Sequence, residues 1–290
     1  MRLLTFSLKN ELKIGVLVEL GGLEKILDLS KSYPAPIPDL KYLLNVWEGH
    51  RIQIEKIVSH PEDAVLYALD EITWKPVIIN PEKIICVGLN YKDHAIETKA
   101  KIPEFPIIFS KFNNVLTGHL QPIRLGGISS EVDYEAELAV IIGKTAKSVP
   151  EENAYDHVAG YSIFHDVSAR DLQMRTSQWT LGKSLDTFGP LGPWMVTKDE
   201  VPDPHGLDIS LKIGDEILQN SNTRELIFSI PRLIKELSAV MTLEPGDIIA
   251  TGTPSGVGFI RKPPRYLQEG DVVTISIQSI GELRNTVQAT

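Results

Sequence analysis

From about residue 82 to its end the chain is cut into short segments rich in Val, Ile and aromatic residues. They are KIICVGLN, PIIFSKF, ELAVIIGK, GYSIFHDV, GPWMVTK, LDISLKI, DIIATGT and DVVTISI, separated by Gly, Pro and Asp. Segments of this length and composition favour strands, and their close spacing predicts a mainly antiparallel domain with sheets folded back on one another. Two helices interrupt them. SIPRLIKELSAVM places Ile230, Leu233, Ile234, Leu237 and Val240 at helical spacing, and ENAYDHVAGY reads as a shorter one.

The first 75 residues have another texture. LLTFSL and KIGVLVEL read as β segments, and Pro34, Pro36 and Pro38 punctuate a loop. PDLKYLLNVWEGH and HPEDAVLYALDE read as short helices, the second opened by Pro61 and two acids, as the helix dipole favours. KPVIINPEK then reads as a linker. The expected organisation is a β-rich α+β chain, with a small N-terminal domain over residues 1–75 and a larger domain over residues 82–290.

Composition narrows the partners. With Lys plus Arg at 29 and Asp plus Glu at 38, the formal net charge is −9, which argues against nucleic acid and anionic membranes. A bound cation can still invert the field locally, so an anionic substrate is allowed. No stretch approaches the roughly 18 apolar residues of a membrane span. The opening MRLLTFSLKNELKIG is charged every few residues and reads as mature protein, not a signal peptide. Cys86 is the only cysteine, so no intrachain disulfide forms, and a reducing, cytoplasmic setting is expected. Within its apolar strand Cys86 reads as a buried small hydrophobe. The sequence has no P-loop, no dinucleotide-binding Gly-x-Gly-x-x-Gly, no Gly-x-Ser-x-Gly elbow and no His-Glu-x-x-His.

EVDYEAELAVIIGK is the most informative segment. Alternation along a strand puts Asp133, Glu135, Glu137, Ala139 and Ile141 on one face. Two glutamates side by side on a strand that turns apolar are costly, because like charges repel and burial worsens the repulsion. Taken alone, the pair fits a solvated strand start as well as a site. Asp166, after the apolar strand GYSIFHDV, adds a third carboxylate. Three carboxylates without a thiol or multi-His set suit a hard cation such as Mg²⁺, Mn²⁺ or Ca²⁺, not zinc. His165 alternates away from Asp166 and reads as structural.

Beyond Asp166, a helical turn in SARDLQMR would make Arg170 and Gln173 neighbours able to grip a substrate carboxylate or 2-oxo group. A surface salt bridge is the plainer alternative for Arg170. Lys183 sits in a Gly-flanked, aromatic-rich turn, either snorkelling or aimed at an anion. In NYKDHAIETKAK, His94 and Glu97 are at i, i+3. On a helix they would form a dyad able to activate water, although the spacing alone fits a solvated helix better.

NYKDHAIE, DYEAELAVIIGK, HDVSARDLQ, LGKSLDTFGPLGPW and GDIIATGTPSGVG, in this order, resemble the fumarylacetoacetate hydrolase family over residues 82–290. The likeness is strongest to its branch of domain-containing protein 2. The N-terminal part resembles that branch's smaller domain weakly. The resemblance implies a mixed β-roll and a homodimer. It implies that Glu135, Glu137 and Asp166 hold Mg²⁺ or Mn²⁺, that Lys183, Arg170, Gln173 and Thr253 line the substrate, and that His94 and Glu97 are a water-activating dyad on a lid. One departure is NNVLTGHLQPIRL, where relatives often carry Gly-Pro near the position of His119.

The implied substrate is a small 2-oxo or 2,4-dioxo acid that chelates the cation. Cleavage at C3 leaves charge as a pyruvate-type enolate, which the cation and Lys183 stabilise. Hydrolysis of a C–C bond in 3-acylpyruvates is the leading expectation. The alternatives are an oxaloacetate tautomerase or decarboxylase, an isomerase of the 2-hydroxyhepta-2,4-diene-1,7-dioate type, and a non-catalytic binding protein.

Overall fold

The strand Ala136–Ile142 is buried at every position, so both faces of the sheet around it must be covered. Alternation divides its side chains between two cores. Leu138, Val140 and Ile142 join a cluster with Ile209, Ile275 and the helix residues Leu233 and Leu237. Ala139 and Ile141 join a second cluster with Leu3, Ile14, Val16 and Leu43.

The computed structural model describes residues 1–289. Its large sheet includes the N-terminal meander Leu23–Asp28, Glu11–Leu20 and Arg2–Leu8, in that order. Arg2–Leu8 then pairs antiparallel with Gly189–Thr197, Arg2 lying opposite Val196. Val158–His165, Ala136–Ile142, Ile248–Ala250, Ile84–Gly88 and Ile107–Lys111 follow in that order, Ile107–Lys111 forming one edge. The sheet therefore runs unbroken across residues 75–82. A second sheet, ordered Glu216–Asn222, Asp208–Ile213, Val272–Ile277, Gly281–Gln288 and Ile123–Arg124, supplies Ile209, Leu211, Val273 and Ile275 to the first core cluster.

Several local expectations need correction. HPEDAVLYALDE is not a helix: a 3-10 turn at Pro61–Asp63 gives way to Leu66–Tyr67, which pairs with Leu27 and Ile26 at the far sheet edge. There the open backbone edge of Leu23–Asp28 outweighs the helical signal of Pro and two acids. ENAYDHVAGY divides into a 3-10 helix, Glu151–His157, and the start of strand Val158–His165. PDLKYLLNVWEGH spans two helices, Leu40–Asn45 and the start of Trp47–Ser59. Asp39 caps the first, its Oδ1 accepting from Tyr42 N at 2.6 Å. Val77 and Ile78 are buried, so KPVIINPEK is packed rather than loose. The helix Ile230–Val240 buries Ile230, Leu233, Ile234 and Leu237, but Val240, its last residue, is 75 % exposed.

Two interruptions position the site. Val132–Asp133 pairs with Ser168–Ala169 instead of continuing into Ala136–Ile142. At the same level Asp166 N donates to Glu135 O at 3.0 Å, bringing the two acid-bearing segments together.

Candidate functional site

Antiparallel pairing sets Ala136 opposite His165 and Glu137 opposite Phe164. With the Glu135–Asp166 backbone bond, this register gathers Glu135, Glu137 and Asp166. Each offers an oxygen within 4.8 Å of the others, and all three are buried.

Three cations surround them. Lys183 Nζ donates to Glu135 Oε2 and to Asp166 Oδ2, both at 2.7 Å. Gly182 makes that placement possible: a Cβ there would meet Gln173 N at 2.5 Å and Ala169 O at 2.6 Å. Only a bare backbone lets Thr180–Lys183 lie against Arg170–Gln173. Lys111 Nζ donates to Asp166 Oδ1 from the other side. Arg170 donates through Nε to Asp133 Oδ2 (2.9 Å), through Nη1 to Gln173 Oε1 (2.9 Å) and through Nη2 to Glu135 Oε1 (2.6 Å). The i, i+3 contact with Gln173 is made. Arg170 is nevertheless not a free fork, because every nitrogen already reaches an acceptor in the frame of the site.

The electrostatics divide the carboxylates. Burial works against the charge on Glu135, but Lys183 and Arg170 outweigh it and hold the carboxyl below its ordinary range. Glu137 goes the other way: burial, then Asp166 and Glu135, push it well above the ordinary value. Its one hydrogen-bond donor is Gly252 N at 2.9 Å. Among the described residues no cation pairs with it. A carboxyl buried beside two others, with a single backbone donor, is a position that a divalent ion would relieve. The donor set is all oxygen, which fits Mg²⁺, Mn²⁺ or Ca²⁺. Burial opposes the charges on Lys183 and Arg170 too, but their acidic neighbours prevail and raise both pKa values.

The helix Lys92–Thr98 carries the other group. His94 Nδ1 lies 2.7 Å from Glu97 Oε1. Glu97 accepts from Gly256 N at 2.9 Å through Oε2, which ties the helix to the loop after Ile248–Ala250. Asp93 Oδ2 accepts from Ser255 Oγ in the same loop and from Ser221 Oγ on the strand Glu216–Asn222.

His94, Glu135, Glu137, Arg170, Gln173, Lys183 and Thr253 line one cavity of about 350 Å³. Asp166 and Glu97 stand behind that lining. The rest of the wall is largely apolar, with Ile107, Phe109, Met174, Trp179 and Phe259. A cleft of about 380 Å³ beside Trp47 and Met195 contains none of these groups. Two of its charge pairs are Lys144 with Glu48 at 2.9 Å and Arg51 with Asp199 at 3.4 Å.

Three other residues lie off the cavity. His165 is buried, its pKa lowered to about 3 by burial and then by Lys111. The Cys86 thiol is buried and pushed up. His119 packs edge-on against Trp74 and accepts from Arg284 N at 3.1 Å.

Sequence reasoning passed over three residues. Asp133 shares the alternation face of the glutamates, and that signal could have found it. Gln219 accepts from Ala136 N and donates to Thr253 Oγ1, both at 2.9 Å. Neither Gln219 nor Lys111 stands in a motif that marks it.

Residues 83–288 match the family described as fumarylacetoacetate (FAA) hydrolase C-terminal. The chain belongs to the fumarylacetoacetate hydrolase family. A mitochondrial oxaloacetate tautomerase of Xenopus laevis is 45 % identical over 277 residues, covering 95 % of this chain and 86 % of its own. An oxaloacetate tautomerase of Bacillus subtilis (strain 168) is 41 % identical over 303 residues, covering 99 % and 100 %. The maleylpyruvate hydrolase of Sphingobium sp. SYK-6, solved with manganese (II) ion and pyruvate, superimposes with a TM-score of 0.81 at 36 % identity. That match covers 100 % of this chain and 99 % of the hydrolase. The chain is thus an enzyme of the fumarylacetoacetate hydrolase family, with a buried acidic cluster of the kind that holds a divalent metal. Among the described residues, no helix is long and apolar enough to cross a membrane.

Proposed function

We propose that this enzyme interconverts the keto and enol forms of a short 2-oxo acid, with oxaloacetate as its leading substrate. One observation carries the reading: His94, held through Nδ1 by Glu97, and the Lys183 ammonium face the same cavity. A proton acceptor and a fixed positive charge are what enolisation at C3 requires. The names of the relatives at 41 % and 45 % identity favour tautomerisation over the C–C hydrolysis expected first.

Glu135, Glu137 and Asp166 would hold a divalent cation, which when bound supplies a Lewis acid for the substrate's carboxylate and 2-oxo group. His94 takes the proton from C3 through Nε2. Its Nδ1 faces Glu97, which fixes the ring. The electron pair of the broken C–H bond forms the C2–C3 double bond, the C2–O π pair moves onto oxygen, and that oxygen takes a proton back from the His94 imidazolium, which returns His94 to its starting state. Lys183 stays cationic between Glu135 and Asp166 and steadies the charge on that oxygen. Gln173, Thr253 and the immobile Arg170 orient the acid end.

A second reading is hydrolysis of 3-acylpyruvates, with His94 activating water. It is favoured by the apolar half of the cavity, where Ile107, Phe109, Met174 and Trp179 leave room for an acyl group. Assaying keto and enol oxaloacetate beside a panel of 3-acylpyruvates, with Mg²⁺ and with products identified, separates the two. Tautomerisation without C–C cleavage supports the first, and pyruvate released from acylpyruvates supports the second. No turnover of either class would overturn both.

A further inference from the structure

Lys111 ends the edge strand Ile107–Lys111, and alternation puts it on the side of Phe109. Phe109 reaches the cavity, whereas Lys111 passes beneath it and its side chain has no exposure at all. Its ammonium has three hydrogens and three acceptors: Asp166 Oδ1, Val167 O at 3.0 Å and Phe188 O at 2.6 Å. An ammonium enclosed this completely, with no donor to spare, cannot touch a substrate.

What it can do follows from the other two carboxylates. Each of the three has one oxygen held from outside the cluster. Arg170 Nη2 holds Glu135 Oε1, Gly252 N holds Glu137 Oε2, and Lys111 holds Asp166 Oδ1. The remaining Glu135 and Asp166 oxygens share the Lys183 ammonium, which stands there as a positive charge between them.

We propose that Lys111 is a positioning residue: it holds Asp166 Oδ1 from behind, so that Asp166 offers a cation one oxygen and cannot close on it with two. With Arg170 and Gly252 acting likewise on their carboxylates, three protein oxygens meet the ion. An octahedral ion then keeps about three positions for water and chelating substrate. This inference rests on the metal-centre reading above. It differs from a purely structural role, in which Lys111 only caps the carbonyls of Val167 and Phe188.

The test counts water on Mn²⁺ by water-proton relaxation and pulsed EPR, in the full-length enzyme and in Lys111→Met and Lys111→Arg. The wild type is expected to keep about three waters and to lose about two on adding oxalate. Lys111→Met is expected to bind Mn²⁺ with about one water fewer, as Asp166 turns bidentate, and to lose activity roughly 10- to 100-fold. Lys111→Arg still donates to Oδ1 and is expected to restore the water count. An unchanged count in Lys111→Met overturns the proposal while leaving the metal centre standing. If Lys111→Met does not fold, the wild type decides: two or fewer waters before oxalate overturns it. Absence of Mn²⁺ binding to the wild type overturns the metal-centre reading and this proposal together.

Discussion

Asp133 and Arg170 form a buried ion pair, Nε to Oδ2 at 2.9 Å, that fastens the carboxylate frame to the loop above it. The same Asp133 carboxylate accepts from Gly258 N at 2.7 Å and Phe259 N at 3.1 Å, and the Phe259 ring lies against the Arg170 guanidinium. Asp133→Ala would leave Arg170 buried with one carboxylate partner fewer and the loop without its anchor. Such losses cost about 3–5 kcal/mol. Urea unfolding is expected to show a drop of that size, partly recovered in Asp133→Ala/Arg170→Met. The same melt is expected to penalise Gly258→Ala, whose Cβ would meet Arg265 O at 1.9 Å.

Glu137 makes metal binding depend on pH. Its folded pKa lies well above the ordinary 4.5, so the metal-free protein holds it as the neutral acid over the intervening range. A cation needs the carboxylate and must expel that proton. Divalent affinity is therefore expected to rise with pH until the raised pKa is passed. Titration calorimetry in buffers of different ionisation enthalpy is expected to show proton release below that point. The sign for folding is opposite. A raised folded pKa gives stability that is present below the unfolded value and lost as pH rises through the folded one. Metal-free protein should then lose stability as pH rises over this window, and Glu137→Gln should remove the loss.

Lys183 separates charge stabilisation from metal capture. Lys183→Met withdraws the ammonium from Glu135 Oε2 and Asp166 Oδ2. Both oxygens remain for a cation, so Mn²⁺ binding by calorimetry is expected to persist. Turnover is expected to fall about 100- to 1,000-fold, the cost of removing one donor to a developing oxyanion.

How much of this was legible in the sequence follows from the distance along the chain. His94 with Glu97 and Arg170 with Gln173 are local pairs, and their i, i+3 spacing alone brings them into contact. Glu135 and Glu137 stand two residues apart at the start of the strand Ala136–Ile142, and Asp166 follows one strand later in the same antiparallel array. Lys111 reaches Asp166 across 55 residues and Asp133 reaches Gly258 across 125, and no periodicity encodes such contacts. Leu66–Tyr67 failed for the same reason: its partner strand ends at Asp28, and local helical signals gave no hint of that edge. Arg170 was located by spacing, but its engagement by Asp133, Glu135 and Gln173 shows only in three dimensions.

His94 and Glu97 are expected to act as one unit. His94→Ala and Glu97→Gln should each lower the tautomerase rate by about 100- to 10,000-fold, and the double variant little further. Losses that multiply in the double variant would mean that the two act independently. Any oxaloacetate decarboxylation should suffer less from His94→Ala than acylpyruvate hydrolysis, because decarboxylation needs no activated water.

The most direct test follows the decay of enol-oxaloacetate absorbance with protein stripped by chelator, then with Mg²⁺ or Mn²⁺ restored, in the wild type and in Glu135→Ala. The expected result is a buffer-level rate for stripped wild type, full acceleration on adding the ion, and no acceleration in a folded Glu135→Ala. Undiminished catalysis by the stripped wild type, or by Glu135→Ala, would contradict a carboxylate-held ion as the centre of this enzyme.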